Sequence, residues 1–533
     1  MDDTITFGIA MLSTLRCRKP SWTRFLSTAH LPFSKFSHLR DVAPVFALRG
    51  QDIHPLVEPT AFYTHLKSLI AITELYVPDS TVGSKKTDIY CRVVCWTNGT
   101  RFGMTHFQQN VSTLRLAMRH THALQVHVLV DCLRGTRMVK GQSSATLLLP
   151  LLQEFPGRIQ VSLYHTPDLK GWLKRVLPQR FNESIGLMHI KVFGFDDNVL
   201  LSGANLNHDY FTNRQDRYIA FENAPALSDY FADLVHTVGS FSYQLSPSAS
   251  RHSHPYDLIT GDNTPDPVYQ SDLFKQEASR RMRAFIDKWM SSSSVLRHES
   301  ASKLHDEYDT LVLPVIQMGP FGIRQDEAAT MKILDIADVH GNREVIHAEE
   351  KFWTIVLTSG YFNFTNHYKS RVLKTSSRFQ LLTASPEANG FFNSQGVSKY
   401  LPPAYTYIEH QFFTEVVRQE KDHIINIQEY KRPGWTYHAK GLWIYFEGEQ
   451  WPFLTMIGSP NFGYRSSERD LEGQAIIITK DEPLRKAIHH ELDCLKRHSV
   501  NVTAKTFNQD DRKVPYLVRL AASIIKSMLK RDI

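Results

Sequence analysis

Residues 186–218 read GLMHIKVFGFDDNVLLSGANLNHDYFTNRQDRY, and a looser copy, YHAKGLWIYFEGEQWPFLTMIGSPNFGYRSSERDLEG, occupies residues 437–473. Both begin with a His-x-Lys pair, His189/Lys191 and His438/Lys440. In an extended strand, residues two apart point to the same side. The spacing therefore predicts a strand over 187–194 with His189 and Lys191 on one face and Met188, Ile190 and Val192 on the other, and an equivalent strand around His438 and Lys440. An imidazole beside an ammonium group is costly to bury unless an anion lies between them, and a phosphate would supply that anion. Asn205 and Asn461 follow small-residue turns, Ser202-Gly203-Ala204 and Gly458-Ser459-Pro460. Such turns let backbone approach a ligand closely, and a carboxamide can donate to a phosphoryl oxygen. A single His-x-Lys arises often by chance. Two copies, each followed by a Gly/Ser turn with an Asn and then an Arg- and Asp-bearing segment, describe two half-sites for one phosphoryl group.

The bulk properties leave this reading room. At 533 residues the chain has the length of two to four domains. Its net charge of +7 favours anionic partners such as phosphates, membrane surfaces or nucleic acid. The five cysteines are odd in number and Cys91 and Cys95 are four apart, so neither a disulfide framework nor a C-x-x-C site is expected, and a reducing compartment fits better. No run reaches the roughly 18 apolar residues of a membrane span. Residues 1–50 are basic and Ser-rich, with no acid between Asp3 and Asp41; that is the composition of a mitochondrial presequence or of an unstructured basic tail.

From residue 59 the chain reads as α/β. Residues 60–72 have helical spacing, 123–130 and 159–164 read as buried strands, and 147–154 reads as a helix between them. Residues 74–110 have no clear period. Helix 228–237 closes a first half over 51–245, and 246–305 reads as a linker followed by a basic helix at 276–290. A second half over 306–533 repeats the order: strand or helix signals at 349–357, 376–383, 410–417 and 424–430 lead to the second His-x-Lys. Helices are expected at 482–498 and 512–531. The latter is basic and amphipathic, suited to lying on an anionic membrane or to packing its apolar face on the domain.

The motifs resemble those of the phospholipase D superfamily, His-x-Lys-x4-Asp followed by Gly-Ser-x-Asn. The first copy matches with His189, Lys191 and Asp196; the second has His438, Lys440 and Gly458-Ser459-Pro460-Asn461, with Tyr445 at the aspartate position. Within that superfamily, VSLYHTPDLKG, LVLPVIQMGPFGIRQDE, LLTASPEANGFF and MIGSPNFGYRSSERDLEG are similar to the eukaryotic mitochondrial CDP-diacylglycerol–glycerol-3-phosphate 3-phosphatidyltransferases. The resemblance implies an α/β fold of two phospholipase D-like α/β/α sandwich halves sharing one pseudo-twofold composite active site. It implies transfer of a phosphatidyl group from CDP-diacylglycerol to glycerol 3-phosphate through a phosphohistidine, without a metal or other cofactor and without nucleic acid. The alternatives are another phosphodiesterase of the superfamily, or an inactive lipid-binding homologue. His189, Lys191, Asp196, His438 and Lys440 are the expected catalytic residues, with His189 favoured as nucleophile. Asn205, Ser459, Asn461, Arg214, Arg217, Arg465 and Arg469 are expected to hold phosphates, and Asp216, Asp470, Glu472 and Tyr445 to stand behind them. The expected location is the mitochondrion, peripheral on the inner membrane. Residues 71–116 depart from the family's pattern, which places a short strand and a glycine-containing loop there.

Overall fold

A computed structural model describes residues 31–75, 88–89, 103–170, 185–248, 255–261, 263–292, 308–343 and 353–528. The second half is built on a ten-stranded sheet. Its order runs Phe46–Leu48, Thr310–Met318, Leu471–Thr479, Leu454–Gly458, Lys440–Tyr445, Thr354–Ser359, Arg378–Ala384, Ile425–Tyr430, Ser499–Asn501, with Ile323–Arg324 hydrogen-bonded to Thr310–Met318. Thr354–Ser359, Arg378–Ala384 and Ile425–Tyr430 are parallel, and their neighbours on either side are antiparallel. The first half repeats this order in two pieces. Ile53–Leu56, Tyr218–Phe221, Asn198–Ser202 and Val192–Phe195 form one sheet; Asp88–Ile89, Gln125–Asp131, Ile159–Tyr164, Tyr243–Pro247 and Tyr256–Ile259 form the other. Asp88–Ile89 thus holds the place that Thr354–Ser359 holds in the second half.

The alternation of side chains along these strands decides where each half is buried. In the second half Leu313, Val315, Ile355, Leu357, Leu442 and Ile444 face helices Gln325–Arg343, Asn366–Leu373 and Leu401–Arg418. In the first half Phe193, Phe195, Leu200 and Tyr218 face Pro59–Leu75, Gly103–His120 and Ser144–Glu154. The opposite faces, with Val192, Val199, Leu201 and Ile219 from one half and Val312, Val356, Trp443 and Ile477 from the other, share a third core. Helices Pro225–Ser240, Ser271–Ser292 and Glu482–Lys496 contribute to that shared core. The two halves are therefore fused through a common apolar layer, as strands buried on both faces require.

Several expectations are corrected. Residues 31–50 are part of the folded body: Phe33, Phe36, Leu39 and Val45 are buried in the second-half core, and Phe46–Leu48 pairs with Thr310–Met318. Their single apolar residues, spread among serines and basic groups, hid this. The rest of the expected presequence lies outside the described residues. The expected basic helix forms as Ser271–Ser292, with Phe274, Ala278, Met282 and Phe285 in the shared core, but the expected linker before it contains a strand, Tyr256–Ile259, that pairs with Tyr243–Pro247. The strand expected over 187–194 begins only at Val192; residues 187–191 are extended but bridge to the other half at Met188–Leu471. Within 71–116 the structure places helix Gly103–His120 and the strand Asp88–Ile89, while residues 76–87 and 90–102 lie outside the described residues. The C-terminal helix spans Tyr516–Met528.

Candidate active site

Each His-x-Lys segment is held by the opposite half. Residues 187–189 run parallel to 470–472: Leu471 N donates to Leu187 O (2.8 Å), His189 N donates to Leu471 O (2.7 Å), and Leu187 N donates to Asp470 Oδ1 (2.8 Å). In the second copy, Thr436–Tyr437 runs parallel to Arg214–Gln215, and His438 N donates to Gln215 O (2.8 Å). The two registers are equivalent. Met188 faces Leu471, one residue before Glu472, and Tyr437 faces Gln215, one residue before Asp216.

That register delivers a carboxylate from each half to the histidine of the other. His189 Nδ1 lies 2.8 Å from Glu472 Oε2, and His438 Nδ1 lies 2.6 Å from Asp216 Oδ2. Both carboxylates are fully buried. Glu472 is fixed further by the Ser466 hydroxyl, which donates to Oε1 (2.7 Å). A carboxylate on Nδ1 sets the ring orientation and leaves Nε2 for chemistry. The anion that stabilises each buried histidine and its lysine is therefore already present as a side chain. Asp216 Oδ2 also lies 3.9 Å from Lys440 Nζ. Lys191 Nζ donates to His189 O (2.6 Å), and Lys440 Nζ lies 2.6 Å from His438 Nδ1 and 3.2 Å from Nε2.

Burial dominates the electrostatics. It lowers the His189 pKa well below the ordinary value, with the Lys191 charge adding to the effect. Burial and then Lys440 lower His438 to about 3, against the pull of Asp216. Burial brings Lys440 down to about 8. For Asp216, burial works upward, yet the Lys440 and His438 charges hold the carboxyl below its usual value. Glu472 goes the other way: burial raises it, and Lys191 only partly offsets this. The two carboxylates thus differ in kind as well as in length.

Among the other expected residues, Asn461 has a buried Oδ1 without a hydrogen-bond partner, beside Ser359 and Ser466. Asn205 Nδ2 donates to Tyr210 Oη (3.3 Å). Ser459 sits behind Glu472, its hydroxyl paired with the Gly473 backbone. Arg214 donates to Thr436 Oγ1 (2.9 Å), pairs with Asp209 (3.2 Å) and covers the Tyr210 ring. Arg465 is pinned to Asp470 (2.8 Å), and Arg469 lies over the Tyr464 ring.

Three expected residues fall elsewhere. Arg217 is fully buried, donates through Nε and Nη2 to Glu491 (2.8 Å each) and through Nη1 to Met456 O (2.6 Å), and stacks on Trp443; its donors are consumed in the core. Asp196 occupies the turn between Val192–Phe195 and Asn198–Ser202 at φ 49°, where its carbonyl accepts from Ser228. Tyr445 ends the strand Lys440–Tyr445 and bonds His489 Nδ1 (2.9 Å). Asp196 and Tyr445 each lie five residues beyond the lysine of their own copy, roughly 16 Å at 3.3 Å per residue of extended chain.

Four residues went unnoticed in the sequence. Asp131 Oδ2 accepts from Met188 N (3.0 Å) and Oδ1 from Arg134 N, clamping the His189 segment. Tyr210 and Tyr361 present ring edges or faces to His438 at 5.2 and 5.7 Å. Ser466 is the fourth. Only Asp131 had a sequence signal, as an N-cap acid ending an apolar strand. His189, Asp470 and Glu472 bring one donor atom each within 4.8 Å, the spacing of a metal site. Their oxygens are already acceptors for Arg465, Leu187 N–H and Ser466, so the donor set is arranged for hydrogen bonding.

No family model matches the chain. The mitochondrial CDP-diacylglycerol–glycerol-3-phosphate 3-phosphatidyltransferase of Gallus gallus is 39% identical over 507 residues, covering 92% of this chain and 86% of the relative. The chain belongs to that phosphatidyltransferase family. The human family member is 37% identical over 507 residues (92% and 86% covered), and that of Saccharomyces cerevisiae 35% over 504 (91% and 89%). The transferase fold is also that of a phosphatidylserine synthase from Haemophilus influenzae Rd KW20. The TM-score is 0.63 at 17% identity, with 94% of this chain and 98% of that one covered.

Proposed function

We propose that this chain transfers the phosphatidyl group of CDP-diacylglycerol to glycerol 3-phosphate, releasing CMP, and that it does so in the mitochondrion, on the surface of the inner membrane. The observation that carries the reading is the reciprocal pairing of His189 with Glu472 and His438 with Asp216, in a chain 35–39% identical to proteins named for this reaction. Among the described residues no helix is long and apolar enough to cross a membrane.

His189 Nε2 attacks the phosphorus bearing the diacylglycerol. A P–N bond forms, the bond to the CMP oxygen breaks, and His438 gives its proton to CMP. The 1-hydroxyl of glycerol 3-phosphate then attacks the same phosphorus, losing its proton to His438 as the P–N bond breaks. Covalent catalysis divides one difficult displacement into two, and imidazole serves as nucleophile, acid and base near neutral pH. Burial keeps His189 neutral, as a nucleophile must be. The general acid needs a proton, and an arriving diphosphate, being anionic, favours the protonated His438. In this reading Lys191, Lys440, Asn205 and Asn461 bind the non-bridging oxygens and offset the charge that develops on them, and Arg214, Arg465 and Arg469 take the further phosphates.

The test is CMP release from CDP-diacylglycerol by the purified chain with glycerol 3-phosphate, serine or water as acceptor. Release that requires glycerol 3-phosphate supports the assignment; equal release with water makes the protein a hydrolase. The His438→Ala protein is expected to lose at least about 10⁴-fold in kcat. Normal turnover by that variant sinks the two-histidine mechanism.

A further inference from the structure

Next to the site, a Cβ at Gly390 would lie 3.2 Å from Tyr361 Oη and 3.6 Å from Arg214 Nη2. Tyr361 in turn packs on Phe391 at 5.9 Å and on His438 at 5.7 Å. From Gly390 the chain runs outward, and within a few residues it exposes three large apolar side chains: Phe392 (46% exposed), Val397 (61%) and Tyr400 (42%). Lys399 is exposed between them and lies over the Tyr400 ring.

The same segment meets the C-terminus. A cavity of about 440 Å³ is lined on one side by Phe392 and Lys399 and on the other by Arg512 and Lys513. Three residues beyond Lys513, helix Tyr516–Met528 begins, and it exposes Tyr516 (77%), Leu517 (74%) and Leu520 (46%), with Arg519 exposed among them. Val518 is buried, so one side of the helix is seated on the protein while these residues face out. Exposed apolar side chains of this size, grouped and interleaved with cations, mark an interaction surface.

We propose that residues 391–400 and the helix Tyr516–Met528 form one continuous patch that inserts into an anionic lipid bilayer, with the histidine site opening beside it. The occupant is a membrane because Lys399 and Arg519 complement anionic headgroups and the exposed apolar side chains beside them suit the acyl-chain boundary. The inference rests on the reading of a diacylglycerol-bearing substrate: such a substrate keeps its acyl chains in the bilayer while its diphosphate reaches His438 past Phe391 and Tyr361.

The test is co-sedimentation of the full chain with phosphatidylcholine vesicles with and without about 30% phosphatidylglycerol, alongside turnover of short-chain CDP-diacylglycerol in detergent micelles. Leu517→Asp and Val397→Asp are each expected to lower binding to the anionic vesicles about tenfold, and together more, while micellar turnover stays within twofold. Tyr269→Asp, at an 87% exposed site in the first half, is expected to bind as the unaltered protein does. The proposal is overturned if either patch variant binds normally or if Tyr269→Asp loses as much. It is also overturned if the patch variants separate a dimer of this chain without changing vesicle binding. Absence of micellar turnover in the unaltered protein counts against the transferase reading instead, and leaves the sedimentation result to decide the surface.

Discussion

The two halves perform the same operation with opposite distributions of bulk. Aligned by their cross-half registers, Glu472 corresponds to Asp216, Gly473 to Arg217, and Ile190 to Ala439. In one unit a branched residue of the His-x-Lys segment, Ile190, packs 3.4 Å from where a Gly473 Cβ would be. In the other, the His-x-Lys segment is small at Ala439 and Gly441, and Arg217 fills the space: a Cβ at Gly441 would lie 2.0 Å from Arg217 Nη1. Large faces small in both, with the sense reversed. The two halves therefore complement each other across their interface, because a close-packed interior accepts bulk on one side only where the other side leaves room.

The sharpest way to break this comparison is at the carboxylates. Asp216 is held ionised by Lys440 and His438, whereas burial pushes Glu472 toward its neutral form. Asp216→Asn is expected to lower kcat about 10³–10⁴-fold, Glu472→Gln about 10²-fold. Equal losses in steady-state kinetics show that the two histidines are oriented by equivalent partners. Next comes stability. Arg217→Ala leaves the buried Glu491 uncompensated and costs about 3–5 kcal/mol. Gly473→Ala, whose Cβ would sit at ordinary contact distance from Ile190, changes stability by less than about 1 kcal/mol. Denaturant midpoints compare them, and the reverse ranking removes the account of Arg217 as a core ion pair.

A smaller effect concerns pH. Lys440, lowered to about 8, is cationic below that pH and neutral above it. If its charge holds phosphoryl oxygens, kcat/KM falls as pH rises through 8, about tenfold per unit. In Lys440→Arg the fall disappears, since the guanidinium stays charged. A profile flat to pH 10 in the unaltered protein contradicts the charge requirement. The smallest effect sharpens the boundary of the site: Tyr445→Phe removes the bond to His489, costing about 1 kcal/mol of stability, with kcat within twofold. A hundredfold loss of activity returns Tyr445 to the site.

A second contrast between the halves concerns the sheet. Thr354–Ser359 pairs on both sides, and a Cβ on the following Gly360 would lie 2.8 Å from His438 Cα, so that glycine loop seats the second histidine. In the first half Asp88–Ile89 pairs only with Gln125–Asp131 among the described residues, and the chain that follows lies outside them.

How much was legible follows from range. The buried strands at 159–164 and 424–430 and the helix at 482–498 were readable within one or two residues, because apolar periodicity is local. Helix Gln325–Arg343 was not read, since its apolar residues are diluted by charge. Asp216 and Glu472 were legible as groups behind the histidines, although nothing in either copy revealed that each serves the other half. Arg217 looked like a phosphate ligand for the same reason: its partner Glu491 is 274 residues away.

The sequence by itself determined the chemistry of this protein: two His-x-Lys segments, their Gly/Ser turns and asparagines, and the acids that follow them. Those are residue types at short spacings, and short spacings fix which side chains share a strand face or a turn. Only the tertiary structure decided the pairing: which carboxylate meets which histidine, which arginine is consumed in the core, and where Asp196 and Tyr445 lie. These are contacts between residues more than 200 positions apart or at opposite ends of a strand. They are set by the register of two segments from different halves and by the apolar layer that presses the halves together.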